Sequence, residues 1–224
     1  MKTAIILGAT GLTGGKLLRY LLQDKRYQKI KLFSRSTVNL SHPKLEEHLG
    51  DLTDMYQFEE DFKADELFCC IGTTKSKTPN KEVYKKIDYG IPKNAAELGK
   101  RNGVKTFIVI SALGADSGSS VFYNRTKGEM EQAVLKAGIT KTHILQPSLI
   151  GGEREEKRLG EWIFKRIFKI LNVVMIGPLK KYRSIKPDTI AKAMVWLANN
   201  DNDKIRVESD EIEEIAQKAE ISSL

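Results

Sequence analysis

Thr3-Ala4-Ile5-Ile6-Leu7, followed at once by Gly8-Ala9-Thr10-Gly11-Leu12-Thr13-Gly14, is the stretch that decides the fold. The short apolar run reads as a buried strand. Leu12, Leu17, Leu18, Leu21 and Leu22 then recur at helical spacing. Strand, glycine turn and helix in that order open a dinucleotide-binding unit. Gly8 suits the tight turn, Gly11 lets backbone approach a diphosphate, and Gly14 lets helix and strand pack closely. The helix N-terminus adds free N–H groups and a positive dipole end. Gly8, Thr10, Gly11, Leu12, Thr13 and Gly14 are therefore the candidate diphosphate site.

The same rhythm continues down the chain. Short apolar runs at 30–33, 45–49, 66–71, 106–111 and 142–145 alternate with helical patterns at 55–62, 91–100 and 127–136. Between 72 and 90 the sequence reads as a basic polar loop. Such alternation is the pattern of a parallel sheet covered on both faces, and right-handed crossovers make it doubly wound. The expected fold is α/β, a doubly wound, Rossmann-like parallel sheet. Residues 1–150 form its dinucleotide-binding core, and 151–224 a small C-terminal cap of the same structural domain. Within the cap, an amphipathic stretch at 162–171 and a helix at 187–198 opening on Pro187 stand out.

Composition narrows the classes. At 224 residues, 41% hydrophobic and 29% charged, the chain can bury a core, which excludes a disordered or fibrous protein. No apolar run approaches the roughly 20 residues that span a bilayer, so no integral membrane segment is expected. Cys69 and Cys70 are adjacent and cannot staple distant segments, which fits a reducing, cytoplasmic setting. The three histidines show no metal-ligand spacing. The net charge of +8 is uneven: the last 24 residues carry −5, leaving +13 on the first 200. No recognition motif or aromatic platform accompanies that charge, so nucleic acid is not an expected partner.

The end of the second strand separates the two nicotinamide dinucleotides. It reads Phe33-Ser34-Arg35-Ser36, with no acid to hold a ribose 2′-hydroxyl. A guanidinium there pairs with a 2′-phosphate, so NADP(H) is preferred over NAD(H).

A Tyr-x-x-x-Lys pair puts phenol and ammonium on one helix face. Tyr27/Lys31, Tyr89/Lys93, Tyr123/Lys127 and Tyr182/Lys186 all fit, so the bare pattern selects nothing. Context selects Tyr123 and Lys127. They follow a strand whose end carries Ser111, and ligands of such sheets sit beyond the strands' carboxyl ends. Tyr123 would give a proton to a carbonyl as hydride arrives, Ser111 would hydrogen-bond the carbonyl oxygen, and Lys127 would hold the ribose. A neighbouring ammonium and the positive nicotinamide ring are expected to lower the phenol's pKa toward the working range.

These residues resemble an atypical short-chain dehydrogenase/reductase, and most of all the Tat-interactive-protein-like oxidoreductases. The resemblance rests on Phe68-Cys69-Cys70-Ile71-Gly72-Thr73-Thr74, Ser111-Ala112-Leu113-Gly114-Ala115-Asp116, Tyr123 to Lys127 with Gly128-Glu129, and Gly160-Glu161-Trp162. It implies that Asp51 meets the adenine with Leu52 beside it, and that Ile71, Gly72 and Thr73 lie along the cofactor. It implies further that Pro147 and Ile150 belong to the stretch reaching the nicotinamide, and that Arg158 sits on a cap loop closing on the cofactor. Gln146-Pro147-Ser148 departs from the family's Arg-Pro-Gly at that point.

The leading expectation is an NADPH-dependent oxidoreductase reducing a small carbonyl substrate. The alternative is a nucleotide-sensing regulatory protein without turnover. A third reading, a peripheral membrane binder driven by the basic core, rests on charge alone. The amphipathic 162–171 stretch is expected to pack over the sheet edge or substrate pocket, with a membrane-surface helix and then a homodimer contact as the alternatives.

Overall fold

The computed structural model describes residues 1–151 and 177–221. Seven parallel strands form one sheet in the order β3-β2-β1-β4-β5-β6-β7. They are β1 (Lys2–Leu7), β2 (Tyr27–Ser34), β3 (Leu45–Leu49), β4 (Glu66–Cys69), β5 (Thr106–Ile110), β6 (Lys141–Gln146) and β7 (Arg206–Glu208). The order reverses between β1 and β4, and ligands of such sheets bind in the crevice at that switch point.

The strands in the middle of the sheet are apolar on both faces, as a doubly covered parallel sheet requires. Ala4, Ile6, Phe68, Ile108 and Leu145 face one layer, while Ile5, Leu7, Leu67, Phe107 and Val109 face the other. The second layer is built by α3 (Ile91–Arg101) and α4 (Phe122–Lys136), together with Met55, Phe58 and Phe62 of the β3–β4 connection. The first layer is built by α1 (Leu12–Gln23), α5 (Pro187–Asn199) and α6 (Ser209–Ile221).

That first layer moves the expected boundary at residue 150. Among the described residues, 187–221 supply two of the layer's three helices and the seventh strand, so they contribute to the core rather than only cap it. The reason is the one-sided area left by the earlier elements. Ile108 and Leu145 need cover that α1 alone does not give, and Ile190, Met194, Leu197, Ile212 and Ile215 supply it. The 162–171 stretch, Arg158 and Gly160-Glu161-Trp162 lie outside the described residues.

The expected polar loop before α3 is partly helical. α2 (Lys81–Lys85) starts at Asn80, whose side chain accepts from the Glu82 and Val83 N–H groups. A wider, π-helical turn, Lys86–Gly90, joins it to α3. Pro92 explains the widening: it has no N–H for the Asp88 carbonyl four residues back, and its ring crowds that carbonyl. Turns of this kind often mark functional positions. Here the turn carries Asp88.

Candidate active site

Gly8 sits at φ +87°, a backbone conformation that suits glycine. A Cβ on it would come within 2.9 Å of the Cys70 carbonyl group at the end of β4. A Cβ on Gly14 would lie 2.1 Å from the Gly8 carbonyl oxygen. The turn is closed by the Gly11 N–H donating to the Gly8 carbonyl at 2.9 Å. Helix α1 therefore begins at Leu12 pressed against β1, with no side chain capping its first turn and no acid in it. Gly11, Leu12 and Thr13 border a cleft at the switch point. This cradle, closed to any Cβ and uncapped, fits a diphosphate.

The other expected cofactor residues divide into two groups. Ile71, Gly72, Thr73, Pro147 and Ile150 border the cleft, as do Ser111, Tyr123 and Lys127. Arg35 stands exposed just past the carboxyl end of β2, with Asp51 exposed beyond β3. Thr10 is likewise exposed. Asp51 is held below the usual carboxylate range, chiefly by the Thr53 N–H at 2.9 Å and also by the Arg35 charge. Arg35 thus has an acid in its electrostatic range, which the reading of the second strand did not include. Leu52 is buried at 5% exposure in the core, so its side chain is packing rather than contact.

Beneath Tyr123 lies a charge pair absent from the sequence reading. The Lys127 ammonium is 3.0 Å from Asp88 Oδ1, with both side chains almost wholly buried. The other Asp88 oxygen accepts from the Thr73 N–H at 2.8 Å, which ties the carboxylate to the turn after β4. A Cβ on Gly72 would stand 3.7 Å from Asp88 and 3.9 Å from Lys127, in ordinary contact with the pair. Burial disfavours the Lys127 cation, but Asp88 first and Tyr123 next hold its pKa above the ordinary value. A buried pair costs desolvation and rarely raises stability; removing one member typically costs about 3–5 kcal/mol. Its placement under the phenol points to function.

Two expectations about this trio are corrected. The protein's own groups do not shift Tyr123 toward neutrality: burial raises its pKa, the Lys127 charge pulls it down, Asp88 raises it again, and the net is upward. The ring is 41% exposed, yet its hydroxyl stands close enough to the protein for desolvation to outweigh the ammonium. The second correction concerns Ser111. Its hydroxyl donates to Glu131 at 2.6 Å, and both are buried. The Glu131 carboxylate also accepts from Gln146 at 2.8 Å and Arg206 at 2.7 Å. A hydroxyl has one proton, so Ser111 in this arrangement has none to give a carbonyl oxygen. Ser111, Glu131, Gln146 and Arg206 instead tie β5, α4, β6 and β7 together. Gln146, where the resembling family has Arg, is one of those ties.

Helix α4 owes its position to a close approach. A Cβ on Gly128 would lie 2.2 Å from the Ser117 N, so the chain before α4 packs directly on the helix backbone. This contact fixes Tyr123 and Lys127 relative to the end of β5. Phe122 stacks edge-on against Tyr84 of α2 at 5.5 Å, which joins the same helix to the opposite rim.

The family model described as NAD(P)H-binding matches residues 8–154, which hold the glycine turn, Asp88, Tyr123 and Lys127. The chain belongs to the NAD(P)H-binding family. The mitochondrial protein FMP52 of Candida albicans is 33% identical over 171 residues, covering 74% of this chain and 75% of that one. The FMP52 protein of Aspergillus niger is 31% identical over 202 residues, covering 87% and 86%. Protein HTATIP2 of Rattus norvegicus is 30% identical over 171 residues, covering 75% and 70%. The resemblance to HTATIP2 and to the FMP52 proteins is thereby established. Among solved structures, a Thermotoga maritima UDP-glucose 4-epimerase superposes with a TM-score of 0.69 at 14% identity, covering 96% of this chain and 82% of that one. At that identity the likeness shows the fold alone. This NAD(P)H-binding protein has an oxidoreductase-like Rossmann fold. The expected cytoplasmic location is overturned: several of its relatives are named mitochondrial proteins. Adjacent cysteines cannot staple distant segments, but that does not tell one cellular compartment from another.

Proposed function

We propose that this protein is an NADPH-dependent reductase of a carbonyl compound, with Tyr123 as proton donor. The observation that carries the reading is the Tyr123 phenol above the buried Lys127–Asp88 pair, in the cleft that the glycine turn borders. NADPH supplies a hydride when bound. Gly8, Gly11 and Gly14 leave room for its diphosphate, and the exposed Arg35 just past β2, a cation able to pair with a 2′-phosphate, supports the NADPH preference. Tyr123 gives its hydroxyl proton to the carbonyl oxygen as the carbon receives hydride, so C=O becomes CH–OH. Lys127 stabilises the phenolate left behind, and Asp88 holds Lys127 in place.

The cofactor half is tested by titrating NADPH and NADH against the quenching of the tryptophan fluorescence of Trp162 and Trp196. NADPH is expected to bind at least about tenfold more tightly, and Arg35→Ala to remove most of that difference. Equal affinities in the wild type would overturn the NADPH preference.

The pKa directions set a pH profile. Tyr123 titrates above its ordinary value of 10.0, so it is protonated and able to donate throughout neutrality. The carbonyl-reducing kcat with saturating NADPH should therefore stay flat from about pH 6 to 9 and decline only on the alkaline side. A decline beginning near pH 7 would assign the proton transfer to another group.

A further inference from the structure

The loop between β4 and α2 has a fixed shape. The Lys77 and Thr78 N–H groups both donate to the Thr74 carbonyl at 2.9 Å, and the Thr73 and Thr78 hydroxyls meet at 2.8 Å. Tyr84 donates to the Thr73 carbonyl at 3.3 Å and braces the loop from α2. Lys75 and Lys77 of this loop, with Lys81 of α2, border the same cleft as Tyr123.

The lysines of the cleft are not all alike. Lys127 faces Asp88, and Lys181 faces Glu208 at 3.1 Å. Those two acids are the carboxylates that border the cleft among the described residues. Lys75, Lys77 and Lys81 have no carboxylate partner among the described residues, and the Lys81 ammonium instead rests 5.6 Å from the Phe122 ring centre. Three cations at one rim repel one another, and an anion placed among them relieves that repulsion. Next to them the cleft wall is apolar and partly open to solvent: Val121 is 54% exposed and Leu149 42%.

We propose that the substrate taken beside Tyr123 is an amphipathic carbonyl compound bearing a carboxylate or phosphate. Lys75, Lys77 and Lys81 hold the anionic group, and Val121, Phe122 and Leu149 receive the apolar body. Ammonium groups act as point charges, so they accept either anion without demanding one geometry. The proposal rests on the carbonyl-reductase reading of this cleft.

The test is equilibrium binding, which reads the site whether or not turnover occurs. Benzyl phosphate, phenylacetate and benzyl alcohol are titrated calorimetrically into the full chain, with and without NADP+. Both anions are expected to bind at least about tenfold more tightly than the alcohol at low salt, with the gap narrowing as salt rises. The Lys75→Ala/Lys77→Ala/Lys81→Ala variant should reduce that ratio below about twofold, and the corresponding triple arginine variant should keep it. The phosphate and carboxylate arms show which anion is preferred. A wild-type ratio near one overturns the proposal, as does a ratio that survives the triple alanine change. Loss of NADPH affinity by the same factor in that variant would assign the lysines to the cofactor and also overturn it. Turnover separates the two readings. Equal reduction of benzaldehyde and 4-carboxybenzaldehyde sinks the anion site alone. Anion binding with no reduction of either aldehyde sinks the reductase reading and leaves the anion site standing.

Discussion

Tyr123→Phe is expected to lower carbonyl-reducing kcat by about 10²- to 10⁴-fold, the range of a lost general acid. The substitution removes one oxygen and keeps the ring, so the wall formed with Phe122 and Val121 stays filled. NADPH affinity should change by less than about twofold, because the phenol is not part of the diphosphate cradle. The size of the effect follows from the lack of a substitute donor among the groups beside it. The Ser111 hydroxyl donates to Glu131, and the Lys127 ammonium is buried against Asp88. Steady-state kinetics of the purified variant, with the NADPH dissociation constant measured separately, checks both parts. Retained turnover would remove Tyr123 from the mechanism; lost NADPH binding would make it a cofactor contact.

Gly14→Ala is expected to act at the opposite end of the site and through the backbone. The new Cβ would lie 2.1 Å from the Gly8 oxygen, and the obstruction is main chain rather than the tip of a flexible side chain. Either α1 moves away from β1 or the Gly8–Gly11 turn opens. Both displace the uncapped N–H groups that Leu12 and Thr13 bring to the cleft. We expect a loss of about 3 kcal/mol of stability or more, at the upper end for overpacking. NADPH binding should weaken by at least about 100-fold. Gly103→Ala separates this from conformational strain. Gly103 also has a positive φ, +78°, but a Cβ there would meet nothing within 4 Å. It should cost only about 1–2 kcal/mol and leave NADPH binding intact. Thermal denaturation and fluorescence titration of the two variants distinguish clash from strain. Equal behaviour of both would mean that the contact between Gly14 and Gly8 does not shape the site.

Much of the site was legible because its signals are local. The glycine turn, the Arg35 strand end and the Tyr123/Lys127 spacing each occupy a few consecutive residues, and covalent geometry ties their type to their position. The choice among four Tyr-x-x-x-Lys pairs also came from chain order, since Tyr123 follows the strand that ends at Ser111. Asp88 was not legible. It belongs to a segment that reads as polar loop, and only the Pro92-widened turn brings its carboxylate under α4, 39 positions before Lys127 in the chain. The raised Tyr123 pKa was missed for a related reason. Spacing identifies a neighbouring ammonium, but the balance of desolvation, Lys127 and Asp88 depends on depth and on a partner remote in sequence.

The sequence by itself determined the parallel, doubly wound sheet, the glycine turn and the phenol–ammonium spacing, because repeated short periodicities and obligatory glycines encode them directly. Only the tertiary structure decided which groups are free to act. Ser111 is bound to Glu131, Lys127 is anchored by Asp88, residues 187–221 close the sheet, and Lys75, Lys77 and Lys81 gather at the cleft. Each of these depends on contacts between segments tens of residues apart, which hydrophobic patterning brings together without specifying the polar partners that then meet.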